Sequence, residues 1–227
     1  MSHKTIEPGL YQISLGFVNA FLVEADGELM LIDTGTADSP EKITAAVQQL
    51  GKHTNDIRRI VLTHLHTDHT GGLAALKQAS GAEVYAHAFE APAIRAGEAM
   101  RPVEPGPGVM SKLTARFAGK SQLFPALPAV AVEHELQDGD VLPGGWTIVH
   151  TPGHTRGHIC LKRDRTLILG DAATIWFRLG GPPLYENYAE AQRSLQRIAA
   201  LEFERACFSH GKPILQSAAQ KFRQKWA

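Results

Sequence analysis

The stretch THLHTDHTGG, residues 63–72, sets His64, His66, Asp68 and His69 within six positions, directly behind the apolar run IRRIVL (57–62). Scattered surface histidines are common. Four ligand-type side chains behind a strand that reads as buried form instead a metal-binding pattern. His64 and His66 are two apart and point to one side of an extended segment. Asp68 and His69 follow on a turn able to fold back, and Gly71 and Gly72 let the backbone pass closely. The first pair could hold one metal and the second pair another. Neutral imidazoles and a carboxylate suit zinc and similar first-row cations.

Three later segments repeat this placement. VHTPGHTRGH (149–158) puts His154 in a Pro-Gly turn between strands, and LILGDA (167–172) puts Asp171 at the end of an apolar strand. CFSHGK (207–212) puts His210 at another strand end, ahead of a helix. An aspartate just after a buried run needs a partner, because burying a lone carboxylate is costly. A pair of cations would supply one.

Around these positions the chain alternates strands and helices. Strands are expected at 10–15, 19–25, 28–33, 57–64, 82–87, 129–136, 146–153, 158–164, 166–171 and 205–211, where apolar and β-branched residues run between turn residues. Ser39 reads as the N-cap of a helix with Pro40 in its first position and Gly51 as its stop. Further helices are expected over 71–79, 187–202 and 212–226, the last with Pro213 in its first turn. KRDR (162–165) reads as a hairpin turn. Residues 88–128 hold six of the thirteen prolines, so RPVEPGPGV (101–109) is neither regular helix nor central strand. Such a stretch reads as a lid-like insertion or as a satellite helical hairpin. The expected domain is one unit over 1–227 with this insertion.

Composition excludes several classes. The 23 basic and 23 acidic residues cancel, so no basic footprint for nucleic acid exists. No run reaches the roughly 18 apolar residues of a membrane span. The N-terminus has no apolar core of a signal peptide, and Cys160 and Cys207 are isolated in apolar runs, which makes no disulfide framework. A cytoplasmic protein without membrane or nucleic-acid partners is expected, working on a small molecule, with a homodimer as a possible assembly.

HLHTDH, TPGHT, LGD and SHG, in that order, resemble the metallo-β-lactamase-fold hydrolase superfamily, and the resemblance runs from GLYQI and LIDTG nearly to the end of the chain. It implies an α/β fold, a four-layer αββα sandwich of two mixed sheets flanked by helices. It implies two divalent ions, zinc by preference with iron or manganese as alternatives. His64, His66 and His154 look like ligands of the first ion. Asp68, His69 and His210 look like those of the second, and Asp171 like the carboxylate bridging both. Asp33 in LIDTG resembles an aspartate that supports the ligands by hydrogen bonds, and His158 a family histidine with a structural role. The implied chemistry is attack by a bridging hydroxide, with Asp68 also as a proton shuttle.

Departures narrow the substrate. Cysteine-ligand β-lactamases carry Cys where this chain has Asp171, and flavodiiron proteins carry Glu at the position of His66. Nuclease branches add a large inserted domain. Acyl-homoserine lactonases place a tyrosine where this chain has Thr174, a role open to Tyr185 or Tyr188. Glyoxalase II proteins share HTDHTGG and TPGHTRGH but add a glutathione-binding helical domain. The reading that remains is hydrolysis of a small ester, thioester or lactone. His87, Phe89, Met110, Phe117, Trp176 and Phe177 could line the substrate pocket. A second reading is a mononuclear iron oxidoreductase resembling the persulfide dioxygenases, holding one iron through His64, His154 and Asp171. A metal-bearing protein without catalysis is the third.

Overall fold

Unbroken apolar runs with turn residues between them dictate the first sheet. Leu10–Ser14, Asn19–Ala25 and Glu28–Ile32 are joined by short turns, and Asp26 and Gly27 take the left-handed backbone at the last of them (φ 54° and 83°). The computed structural model describes residues 3–98, 100–118 and 126–227. They fall into two compact units. One comprises residues up to Met100 with Ala126–Leu136, and the other runs from Arg101 to 118 with Gln137–Ala227.

The first unit is a seven-stranded mixed sheet. Its strands are β1 (His3–Glu7), β2 (Leu10–Ser14), β3 (Asn19–Ala25), β4 (Glu28–Ile32), β5 (Ile57–Val61), β6 (Glu83–His87) and β8 (His134–Leu136), side by side in that order. The first four pair antiparallel, whereas β4, β5, β6 and β8 run parallel. Helices α1 (Pro40–Gln49), α2 (Thr67–Thr70), α3 (Leu73–Ser80) and α4 (Ala91–Ala96) connect them. Ile43 and Val47 of α1 and Leu73 and Leu76 of α3 pack into one apolar core with Leu22, Leu31 and Ile60 of the sheet.

The second unit is built on a five-stranded sheet, in the order β16 (Arg205–Cys207), β12 (Thr166–Ile168), β11 (Ile159–Arg163), β10 (Trp146–His150) and β9 (Val141–Leu142). Only β12 and β16 are parallel. Two ribbons accompany it: β13 (Thr174–Ile175) with β14 (Leu179–Gly180), and β7 (Glu104–Pro105) with β15 (Leu184–Tyr185). Helices α6 (Tyr188–Ala199) and α7 (Ala218–Trp226) bury Leu195, Ile198 and Phe222 against Leu167, Ala206 and Phe208, and α5 (Val109–Ala118) completes the set.

Several expectations need correction. Strand β5 stops at Val61, three residues before His64. The helix expected over 71–79 is α3, and a separate helical turn not foreseen, α2, precedes it and carries Asp68 and His69. Ser39 caps nothing. Its hydroxyl instead accepts from the Thr36 N–H (3.0 Å) and pairs with the Thr36 hydroxyl. The last helix starts at Ala218, because Ile214 forms a bridge to Ala206 that holds Pro213 in extended chain. Residues 129–133 add no strand to β8, and β1 was not foreseen. Leu123 and Phe124, expected to help fill residues 88–128, and the Phe117 side chain lie outside what the structure describes. Cys160 and Cys207 are buried and form no disulfide, as expected.

Candidate metal centre

Each unit places ligand-type residues at the carboxyl ends of a parallel strand pair, where chains leave a sheet together, and the second unit adds His154 from the loop between β10 and β11. In the first unit the pair is β4 and β5, with Ile32 level with Val61. Asp33 is the first residue past β4. It takes a left-handed conformation (φ 60°), and its N–H donates to the Val61 carbonyl at 2.9 Å. Aspartate tolerates that backbone better than most residues. The turn aims its carboxylate, fully buried, at the loop after β5.

That carboxylate organises the cluster. Asp33 Oδ1 accepts the Thr63 N–H at 2.8 Å, while Oδ2 accepts the Thr63 hydroxyl at 2.8 Å and meets His69 Nδ1 at 2.9 Å. A carboxylate only accepts, so His69 carries its proton on Nδ1. The Thr63 hydroxyl, having donated to Asp33, accepts from His64 Nδ1 at 3.0 Å. Both imidazoles therefore present a bare Nε2, the form that binds a metal. Their rings lie 4.0 Å apart between centroids, and those of His64 and His66 4.7 Å apart. Ligand atoms of His64 and His66, of His64 and His69, and of Asp68 and His69 each lie within 4.8 Å.

The backbone holds α2 in place. The Thr34 N–H and hydroxyl both donate to the His69 carbonyl at 2.7 Å, and the Thr70 hydroxyl donates to the Leu65 and His66 carbonyls at 3.0 Å. A Cβ on Gly71 would lie 2.5 Å from the Thr67 carbonyl oxygen, and one on Gly72 2.5 Å from that of Thr34. The two glycines are there for close approach, as the sequence indicated.

In the second unit the parallel pair is β12 and β16, with Ile168 level with Cys207. Asp171 and His210 each follow three residues later. Asp171 Oδ2 lies 3.3 Å from His210 Nε2 and 3.5 Å from His154 Nε2, so one carboxylate oxygen faces two imidazoles from different loops. His154 donates from Nδ1 to the Leu184 carbonyl (2.9 Å), which leaves its Nε2 bare as well. The loop is fastened by Glu186 N–H to the His154 carbonyl (3.0 Å) and Asn187 N–H to the Gly153 carbonyl (2.9 Å).

His158 has the structural part expected of it. The Asp171 N–H donates to His158 Nε2 at 2.9 Å, so that nitrogen is occupied, and Nδ1 donates to the Thr151 hydroxyl at 2.8 Å. Its ring therefore positions the Asp171 backbone. Thr174 is buried, and its hydroxyl donates to the Gly181 carbonyl (3.4 Å). Tyr185 meets the His154 ring edge-on, with centroids 6.4 Å apart. Burial, then the Tyr188 and Asp171 charges, push its phenol well above the ordinary range, so it stays protonated.

Sequence reasoning named the ligand-type residues but missed Thr63, Thr151 and the Leu184 carbonyl. Nothing in a threonine or a carbonyl marks it as a partner until the fold places it. Of the residues considered for a pocket wall, His87 is buried, whereas Phe89, Met110, Trp176 and Phe177 are exposed.

The sequence profile of the metallo-beta-lactamase superfamily matches residues 13–210. The chain belongs to that superfamily. Its fold is the metallo-β-lactamase fold, a mixed α/β architecture of mixed sheets and flanking helices. A Cronobacter sakazakii metallo-beta-lactamase superposes with a TM-score of 0.72 at 26% identity, over 93% of this chain and 81% of that one. "Probable metallo-hydrolase YflN" of Bacillus subtilis (strain 168) is 30% identical over 91% of this chain and 85% of its own. "Acyl-coenzyme A thioesterase MBLAC2" of Gallus gallus is 29% identical over 88% of this chain and 75% of its own. As a superfamily member the chain is a metallo-hydrolase homologue, and its imidazoles and carboxylates are a donor set that suits divalent metals.

Proposed function

We propose that this protein is a dinuclear metal-dependent hydrolase of a small ester, thioester or lactone, with acyl thioesters as the preferred class. His64, His66 and His154 would hold the first ion, Asp68, His69 and His210 the second, and Asp171 would be shared. The observation that carries this reading is the placement of Asp171 Oδ2, 3.5 Å from His154 Nε2 and 3.3 Å from His210 Nε2. A carboxylate oxygen that faces imidazoles from two separate loops is placed to be shared, and Asp68 and His69 supply the further donors a second ion needs. The buried Nε2 atoms of His64, His69 and His154, whose Nδ1 atoms are engaged in hydrogen bonds, fit divalent first-row ions, zinc by preference with iron or manganese as alternatives. The thioester preference rests on the thioesterase relative.

When bound, two such ions lower the pKa of a shared water towards ~7 and polarise a carbonyl. The chain's own residues do the rest. Asp33 holds His69 directly, and His64 through Thr63, each in one tautomer and orientation. His158 holds the Asp171 backbone, and the Leu184 carbonyl orients His154. Asp68 is partly exposed (24% of its side chain) where His69 is fully buried, so it exchanges a proton with solvent during turnover.

The test is elemental analysis of natively expressed protein, followed by a panel of acyl thioesters, esters and lactones with the metal found. Two ions per chain and thioester turnover are expected. One iron per chain with oxygen uptake on glutathione persulfide would overturn the reading in favour of a dioxygenase.

A further inference from the structure

The second unit carries an aromatic arm that neither the ligand set nor the core explains. After Asp171, strands β13 and β14 form a hairpin whose tip is Trp176, Phe177 and Arg178. All three are exposed, and the Phe177 side chain stands wholly in solvent. Large aromatic side chains this exposed on a tight hairpin mark a binding element more often than a packing accident.

The arm is fastened to one place. The Ile175 N–H donates to the His210 carbonyl at 2.8 Å. Gly211 (φ 116°) approaches so closely that a Cβ there would lie 2.2 Å from the Ile175 carbonyl oxygen. The Trp176 indole stacks on the His210 imidazole, with centroids 4.9 Å apart and planes at 21°. One indole face is thus committed to a candidate ligand, while half of the side chain is still open to solvent.

The charges on these two segments have one sign. Arg178 is the sole charged residue in 172–181, and Lys212 the sole Lys, Arg, Asp or Glu in 208–216. Both are exposed, and neither has an ion-pair partner among the described residues. Exposed cations beside exposed aromatics complement a substrate with an apolar part and an anionic part.

We infer that the β13–β14 hairpin is the substrate-recognition arm, and that it selects an acyl thioester whose carrier bears phosphate groups. Trp176 and Phe177 receive the apolar acyl portion, while Arg178 and Lys212 meet the anionic carrier. This rests on the thioesterase reading above and names the carrier that reading leaves open.

The experiment compares octanoyl-coenzyme A with the uncharged N-acetylcysteamine thioester of the same acid, on the metal-loaded protein. In Arg178→Glu and Lys212→Glu the KM for the coenzyme A substrate should rise roughly ten-fold, while that for the uncharged thioester moves less than two-fold. In Phe177→Ala both KM values should rise together, with kcat nearly constant. The charge variants should also flatten the salt dependence of kcat/KM for the coenzyme A substrate. Equal KM changes for both substrates in the charge variants, or none, would overturn the inference.

A binding measurement separates this idea from the hydrolase reading. Titration with the non-hydrolysable thioether S-octyl-coenzyme A, which carries both the apolar chain and the anionic carrier, should change tryptophan fluorescence in the wild type and in Trp226→Phe, and leave Trp176→Phe silent. If no thioester is turned over but this signal appears, the recognition arm stands and the hydrolase assignment falls. If thioesters are hydrolysed and the signal is absent, the arm falls alone.

Discussion

Asp33 shows how much one buried carboxylate can decide. It accepts the Thr63 N–H and hydroxyl and faces the His69 Nδ1 proton. Asparagine would fit the space and the positive φ but turn an amide N–H₂ towards those donors. Asp33→Asn should therefore weaken metal binding about 10–100-fold, measured by competition with a chromophoric chelator. An unchanged affinity would show that His69 does not need this partner. The cysteines make a second case at this scale. Burial pushes the Cys160 thiol up to about 12, against a weaker opposing hydrogen bond from Thr151, and Cys207 is buried too. The thiolate is the reactive form. Native protein at pH 8 should thus show no thiol reactive towards a disulfide reagent, and unfolded protein should show two. Early reaction of either thiol in native protein would contradict that burial.

Among the elements, the loop carrying His154 depends on Gly153. Its φ is 129°, and a Cβ there would lie 2.1 Å from the Ala191 backbone nitrogen of α6. Backbone cannot move aside as a flexible side chain can. Gly153→Ala should cost roughly 3 kcal/mol or more in chemical denaturation, above the ordinary range of point substitutions. A loss under 1 kcal/mol would mean that loop and helix separate easily. At the edge of the first sheet, Glu133 accepts from the Val84 N–H at 2.8 Å and pairs with Lys77 at 2.6 Å. Burial alone would raise its carboxyl, but these partners outweigh that and hold it below the usual glutamate range. A depressed carboxyl stabilises fully above its unfolded pKa and loses that contribution as pH falls through its folded one. Glu133→Gln should accordingly cost up to about 1 kcal/mol at pH 7, with the gap to wild type closing in acid. A pH-independent gap would point to packing instead of charge.

For the whole molecule, metal occupancy should appear as stability. If the proposed ions bind the folded chain at concentrations 100-fold above Kd, they add about 2.7 kcal/mol, or roughly 5–10 °C in Tm for a chain this long. Chelation should lower Tm by that amount, and readdition of zinc should restore it, followed by calorimetry. Equal melting of the loaded and stripped forms would count against a site organised by folding. At this scale the division between sequence and structure is clear. His64, His66, Asp68, His69, His154, Asp171 and His210 stood out as candidates because metal chemistry demands particular side chains in short, regular patterns. Most strands were legible from apolar runs, and α6 from its periodicity. Partners such as Thr63, Thr151 and the Leu184 carbonyl were not, because whether a threonine or a carbonyl meets a ring nitrogen depends on how the fold closes its loops, which leaves no local trace. Nor was the late start of α7, since the Ile214–Ala206 bridge overrides the helix signal of Pro213. By itself the sequence determined which side chains are available for metal chemistry, since ligand identity is a local property. Only the tertiary structure decided which nitrogen of the His64, His69 and His154 rings is bare and which oxygen faces two imidazoles, because those follow from where the chain brings distant atoms together.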